Sequence, residues 1–196
     1  GFDFSRVSIA SNNLGNRSRK VAIFFLEQRF TFWDKKFDLT PGVAINIYSD
    51  FGNFAYPGLD VGFQFDRQWR LYGNVGYTYR IPTYTDLFYS DRTTIGNPDL
   101  KPEEALAKEL GLRFTSKMLT FYLAYFDRQA ENLIDYAKAT ADSLWEATNI
   151  RSVNTQGFET EIKIPFIIGK QPQFLKFGYT YLTDDLREVA INFSRY

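Results

Sequence analysis

The stretch WRLYGNVGYTYR, residues 69–80, alternates without a break. Trp69, Leu71, Gly73, Val75, Tyr77 and Tyr79 take the odd positions, and Arg70, Tyr72, Asn74, Gly76, Thr78 and Arg80 the even ones. Successive side chains of an extended chain point to opposite faces, so the pattern predicts a strand with one mainly apolar and one mainly polar face.

The same period recurs along the chain. Leu106, Leu110, Leu112 and Phe114 share a face, with Lys108 as the exception, against Ala107, Glu109, Gly111 and Arg113. Phe158, Thr160, Ile162 and Ile164 oppose Gly157, Glu159, Glu161 and Lys163, and Phe177, Tyr179 and Tyr181 oppose Gly178 and Thr180. Val21–Phe32, Val43–Tyr48, Leu59–Phe65 and Leu119–Phe126 fit more loosely. Pro102–Arg113 also contains good helix formers, but Gly111 and the flanking strands favour a strand there.

Connections sort by length. Short links are expected at Trp33–Lys36, Asp66–Gln68, Ser116–Lys117 and near Gly169–Gln173. Long loops are expected at Asn12–Arg19, Ser49–Ala55, Arg80–Glu103 and from Asp127 to near Val153. Together they describe an all-β, antiparallel up-and-down meander of about nine or ten strands, each about 9 to 13 residues long. Strands of soluble sandwiches average about 5 to 6 residues. The longer runs suit tilted strands crossing a hydrocarbon layer, where a sheet must close on itself to leave no backbone edge unpaired.

Composition fits that expectation and removes others. Aromatic residues make up 18% of the 196 residues, with 20 Phe, 13 Tyr and 3 Trp, as interfacial girdles would require. The 23 basic and 23 acidic residues cancel, so no global field favours nucleic acid. Cysteine and histidine are both absent, which removes disulfides, thiolate chemistry, the Ser-His triad and the usual zinc sites. The adjacent pairs Glu103-Glu104 and Asp184-Asp185 would point to opposite faces of a strand, so neither forms an acid/base dyad. An enzyme is therefore not expected, nor is a cofactor or metal. Trp69 and Arg70, with Arg67, lie beside a short turn and are expected as headgroup anchors.

Four ordered segments carry a resemblance. They are Tyr79-Arg80-Ile81-Pro82, Asp86-Leu87-Phe88-Tyr89, Gly96-Asn97-Pro98-Asp99-Leu100-Lys101-Pro102-Glu103, and Glu109-Leu110-Gly111. This succession resembles the hallmark of TonB-dependent outer-membrane receptors. Leu39-Thr-Pro-Gly42-Val43, Asn132-Leu-Ile-Asp-Tyr136, Asn149 and Gly157-Phe-Glu159 resemble later strands of that family, closest to its vitamin B12 receptors and their iron-chelate relatives. The resemblance implies part of a transmembrane barrel of about 22 strands in the outer membrane of a Gram-negative bacterium. It also implies a plug domain, a TonB complex, a scarce small-molecule ligand such as cobalamin or an iron chelate, and outer-membrane lipid as partners. Residues 1–196 would form a single incomplete barrel segment, without the plug, the first barrel half or the last strands. Thr183–Tyr196 would be a loop entering an unfinished strand. Such a segment is not expected to transport anything alone, and its open edges would invite self-pairing. The alternative is a soluble or small-barrel β-sheet protein with a binding or structural role.

Candidate site residues follow from position. The prolines and glycine of the motif, with Arg80, Pro82, Asn97, Leu100 and Glu103, would turn an extended crossing back to the sheet without offering an edge. In the same loop Tyr84, Asp86, Tyr89, Asp91 and Arg92 would either line a ligand mouth or sit as interfacial rings and solvated charges. Glu109, Arg113, Glu159, Glu161 and Lys163 fall on the polar face, where they would meet a plug or pair across strands.

Overall fold

The computed structural model describes residues 1–187, 193 and 194. Its elements run in chain order as β1 (Phe2–Ser11), β2 (Gly15–Glu27), β3 (Phe30–Phe32), β4 (Phe37–Tyr48), β5 (Gly52–Gln64), β6 (Trp69–Arg80), α1 (Tyr84–Phe88), β7 (Thr94–Ile95), β8 (Glu103–Thr115), β9 (Thr120–Lys138), β10 (Trp145–Ile168), β11 (Gln171–Arg187) and β12 (Phe193–Ser194). Nine of them form one path, β1-β2-β4-β5-β6-β8-β9-β10-β11. Every neighbour on that path is antiparallel and follows in sequence, apart from the short insertions β3 and β7. The all-β meander read from alternation is the fold. Residues 103–115 are extended, as Gly111 suggested, and Gly111 pairs with Tyr72 on one side and Ala124 on the other.

The two faces are inverted relative to a soluble sheet. Phe24, Ile45, Ile47, Leu71, Val75, Leu110, Leu123, Phe158, Ile162, Phe177 and Tyr179 lie on the apolar face, and all are exposed. Strand residues that are buried are mostly small, such as Ala105, Ala124 and Ala130 on the polar face. The sheet therefore buries no core of its own along most of its length, and its cohesion is the hydrogen-bond ladder. Rings collect near one end of the apolar face, where Trp33 lies 5.5 Å from Phe37, Phe65 stacks at 6.4 Å on Trp69, and Trp69 lies 4.7 Å from Phe114. Toward the other end the apolar columns finish in Tyr77, Tyr125, Phe158 and Tyr181, with Tyr125 and Phe158 5.1 Å apart. From Trp69 to Tyr77 the chain rises about 27 Å, which a strand tilt of about 40° reduces to about 20 Å of height, close to the apolar band of a membrane barrel.

Several expected boundaries change. Asn12–Arg19 and Ser49–Ala55 are not long loops: strand resumes at Gly15 and at Gly52. Asp127 to Val153 is largely strand too, since β9 continues to Lys138 and β10 begins at Trp145. Thr183–Arg187 belongs to β11, not to a loop, and the rest of the expected return strand lies outside the described residues apart from Phe193–Ser194. Here the strands have passed beyond the apolar band, so the ladder persists while the alternation that marks a strand disappears. Val21–Phe32 is broken in two opposite Pro41, which has no N–H for the ladder. Arg70 is a further correction. It lies on the polar face, where its Nη2 donates to Asp38 Oδ2 at 2.6 Å, and it is not a headgroup anchor. Lys108, the exception on the apolar face, lies 3.8 Å from Asp127.

Close strand approach at Gly157 yields a test. A Cβ there would strike the Tyr181 carbonyl oxygen and lie 3.0 Å from Leu182 Cα, both backbone, whereas a Cβ on Gly178 meets only Thr160 O at 3.9 Å. Gly157→Ala should cost about 1 to 3 kcal/mol and Gly178→Ala less than about 0.5 kcal/mol, read from thermal loss of the β signal by circular dichroism. Equal losses would contradict this packing.

Candidate functional site

The one long connection that survives, residues 81–102, is a folded strap between β6 and β8. It is anchored first by charge. Arg80 donates to both carboxylate oxygens of Glu103, through Nε at 2.7 Å and through Nη2, and its Nη1 reaches Asp86 at 3.5 Å. Glu103 also accepts the Ile134 amide at 2.9 Å. Thr83 and Asp86 form a reciprocal capping box, Asp86 N–H to Thr83 Oγ1 at 3.1 Å and Thr83 N–H to Asp86 Oδ2 at 2.9 Å, which starts the short helix α1.

Beneath α1 the polar face supplies two arginines. Arg19 pairs with Asp50 at 2.8 Å, donates to Pro82 O at 3.2 Å, and lies 5.1 and 5.2 Å from the rings of Phe51 and Tyr84. Arg17 sits 3.8 Å over Phe88. Asn13, in the β1–β2 turn, exchanges two hydrogen bonds with the Ser90 backbone at 2.5 and 3.1 Å. The far side of the strap reaches β10, where β7 pairs in parallel with Trp145–Glu146. The strap thus ties the second strand of the sheet to the eighth.

Most of its apolar residues face inward, Ile95 being exposed. Pro82 is fully buried, and Leu87, Leu100 and Ala147 make a small core against Phe51, Phe88, Ile134 and Tyr136. Gly96 is required by contact, since a Cβ would lie 2.7 Å from Leu87 C and Phe88 N. Its amide donates to Tyr89 O at 2.6 Å, and the next amide, Asn97, donates to Asp86 O at 2.8 Å. Asn97 Oδ1 then accepts the Asp99 amide at 2.9 Å, a turn that carries Pro98 at the surface. Pro102, half-buried, leads into β8.

The candidate mouth residues differ in what they do. Asp86 caps α1, and Tyr84 is half-buried with its hydroxyl against no hydrogen-bond partner. Asp91 closes its own turn, accepting from the Thr93 and Thr94 amides, each at 2.7 Å, and from the Tyr89 hydroxyl at 2.9 Å. Those bonds, the Thr93 amide foremost, hold its carboxyl down at about 2, below the usual 3.8, and Asp91 in turn raises the Tyr89 hydroxyl. Arg92 is exposed and makes no hydrogen bond or ion pair with the described residues.

The five polar-face candidates do share one face. Tyr122 lies between Arg113 and Glu161 across the strands, and its hydroxyl donates to Glu109 at 3.1 Å. Glu161 pairs with Lys176 at 2.7 Å, and Lys163 sits 4.4 Å over Phe174. Glu159 is exposed beside them. Sequence reasoning missed Asp38, which is buried between Arg70 and Arg29 (3.3 Å), and the stacked Tyr72–Tyr122 pair, 5.9 Å apart. Parity alone put Arg70 and Tyr72 on the polar face, but their partners come from other strands. Arg19 and Asn13 were hidden in segments that lack alternation, and Asn149 stood out only through the resemblance, without its partners.

Comparison with known proteins places this geometry. Residues 2–195 match the family model described as "TonB dependent receptor-like, beta-barrel". The vitamin B12 transporter BtuB of Vibrio vulnificus is 28% identical over 88 residues, covering 45% of this chain and 14% of that protein. BtuB of Photobacterium profundum is 30% identical over 93 residues, 46% of this chain and 15% of that protein. The crystal structure of the siderophore receptor PirA from Pseudomonas aeruginosa superposes with a TM-score of 0.79 at 17% identity, covering 92% of this chain and 36% of that one. The chain thus corresponds to a small part of each relative.

The Asp91 turn carries a pH test. A carboxyl depressed in the folded protein stabilises fully above its unfolded value near 3.8 and loses that contribution as pH falls through about 2. Thr93 and Thr94 amides, corrected for intrinsic exchange, should be protected at pH 4 and lose protection near pH 2. Asp91→Ala should remove it at both. Asp91→Asn, which keeps an acceptor, should flatten the pH dependence. Protection unchanged in Asp91→Ala would contradict the assignment.

Proposed function

This chain belongs to the TonB-dependent receptor-like β-barrel family, and from that premise we propose that it is part of the wall of an outer-membrane receptor. The receptor takes up a scarce ligand, cobalamin or an iron chelate, with energy delivered through TonB. The observation that carries this is the inverted sheet, with exposed Val75, Leu110, Phe158 and Phe177 on one face and charged residues on the other. Such a face is stable against lipid and a liability in water, which argues against a soluble β-protein.

Roles follow from the faces. The aromatic residues at either end of the apolar columns, Trp69 and Phe114 at one and Tyr77 and Tyr125 at the other, sit at the headgroup levels of a Gram-negative outer membrane. The strap end faces outside, since long connections lie there in barrels of this kind. On the polar face Glu109, Arg113, Glu159, Glu161 and Lys163 meet the plug. Glu159, exposed and lacking a cross-strand ion pair among the described residues, is the strongest of these. At the mouth, Asp86 and Asp91 are already engaged within the strap. Ligand contact therefore falls to Arg92, a cation with no ion pair among the described residues and suited to an anionic chelate or phosphate, together with the Tyr89 ring, whereas Tyr84 lies over Arg19 with its hydroxyl buried. Uptake belongs to the full receptor, and this segment alone does not perform it.

Uptake in cells carrying the full-length receptor tests the proposal. Growth limited by cobalamin or by a ferric siderophore should depend on both the receptor and TonB. Arg92→Ala should weaken capture of the supporting nutrient by about tenfold, the scale of one charge-assisted hydrogen bond. Growth on both nutrients that is indifferent to TonB would overturn it.

A further inference from the structure

The β9–β10 hairpin is kinked where the strap meets it. Asn132 has a left-handed φ of 54°, and the ladder slips between Asn149 and Arg151 and again between Arg151 and Val153. A non-glycine residue in that region, opposite two register shifts, interrupts the regular ladder between the body of the hairpin and its tip at residues 133–148. The tip then packs on the strap through Ala147, Ile134 and Tyr136.

One half-buried side chain occupies the kink. Asn149 Oδ1 accepts the Lys101 amide at 2.8 Å, while Asn149 Nδ2 donates to Lys101 O at 2.9 Å and to Asn132 O at 2.7 Å. Three backbone groups from two segments, the strap and β9, converge on a single amide group. Lys101 belongs to the strap, just before Pro102 removes the next backbone donor. Asn132 belongs to β9 and itself donates to Glu104 at 3.3 Å, next to the Arg80–Glu103 pair. Only a side chain carrying both an acceptor and a two-hydrogen donor meets this demand. Aspartate matches its shape but cannot donate.

We propose that Asn149 is a positioning residue that locks the 81–102 strap to the tip of the β9–β10 hairpin, so that the two form one rigid rim element. Its consequence for ligand capture rests on the mouth reading above: a rim held as one body presents Arg92 and the Tyr89 ring in a fixed arrangement. Loosening Asn149 therefore speeds ligand release without removing any contacting group. The Asn13–Ser90 clamp is a second tie, near the middle of the strap and to a different part of the sheet.

Hydrogen exchange on the full-length receptor in detergent tests this, with Asn149→Ala, Asn149→Asp and Asn13→Ala compared by heat-dependent gel mobility to establish that each is folded. Asn149→Ala should speed exchange about tenfold or more both at residues 99–101 and across 133–148. Asn149→Asp should keep the Lys101 amide protected and still loosen 133–148. Asn13→Ala should loosen Ser90 and leave the hairpin unchanged. A change confined to Lys101 in Asn149→Ala, or no loosening of the hairpin in Asn149→Asp, would overturn the proposal. A parallel arm measures dissociation of cyanocobalamin and of ferric enterobactin. Coupled exchange with neither probe bound would sink the mouth reading and leave the lock standing. A probe that binds but leaves at an unchanged rate from Asn149→Ala would refute the functional consequence.

Discussion

A backbone that cannot rely on a buried core must satisfy its polar groups through the ladder, and the rest of this chain is arranged around that constraint. Each long strand from β2 to β10, leaving aside the short β3 and β7, has a neighbour on both sides, joined in sequence by antiparallel pairing. Because the ladder saturates the backbone, the side chains are free to turn their apolar face outward. That is the arrangement hydrocarbon demands, where an unpaired N–H or C=O would cost several kcal/mol. The polar face then has no lipid to exclude charge, and it gathers Glu109, Arg113, Glu161 and Lys163 with the buried Asp38 between two arginines.

The strap answers a different problem. Strands that outrun the apolar band have no lipid on one side and no neighbouring sheet on the other. Among the described residues a conventional core is built at this end, from Leu87, Leu100 and Ala147. The charges that surround it are mostly local devices for holding backbone: Arg80 with Glu103, Arg19 with Asp50 and Pro82, and Asp86 at the start of α1. The three prolines and one glycine of residues 81–102 are thus a scaffold first, and Arg92 is left without a hydrogen bond or ion pair among the described residues.

Alternation made the strands legible wherever one face was apolar, as in Trp69–Arg80 and Phe158–Ile164. It failed for the extensions at Gly15–Arg19, Arg128–Lys138 and Trp145–Val153, where apolar and polar residues do not alternate and period two carries no signal. Motif order in Tyr79–Glu103 revealed the family, and side-chain parity put Glu109, Arg113, Glu159, Glu161 and Lys163 on one face. Partners that join distant strands stayed hidden. Arg70 finds Asp38 across β5, and Asn149 finds Lys101 48 residues away, neither of which local spacing encodes.

The inverted sheet is most directly tested by sizing the 196-residue chain by light scattering with and without detergent, alongside far-ultraviolet circular dichroism. Strands β1 and β11 each have a single long-strand neighbour among the described residues, and the apolar face is bare. A β spectrum in detergent, with association or precipitation when detergent is withdrawn, is the predicted result. A compact, detergent-free monomer with the same spectrum would show that these strands bury their apolar face among themselves, and would contradict the account.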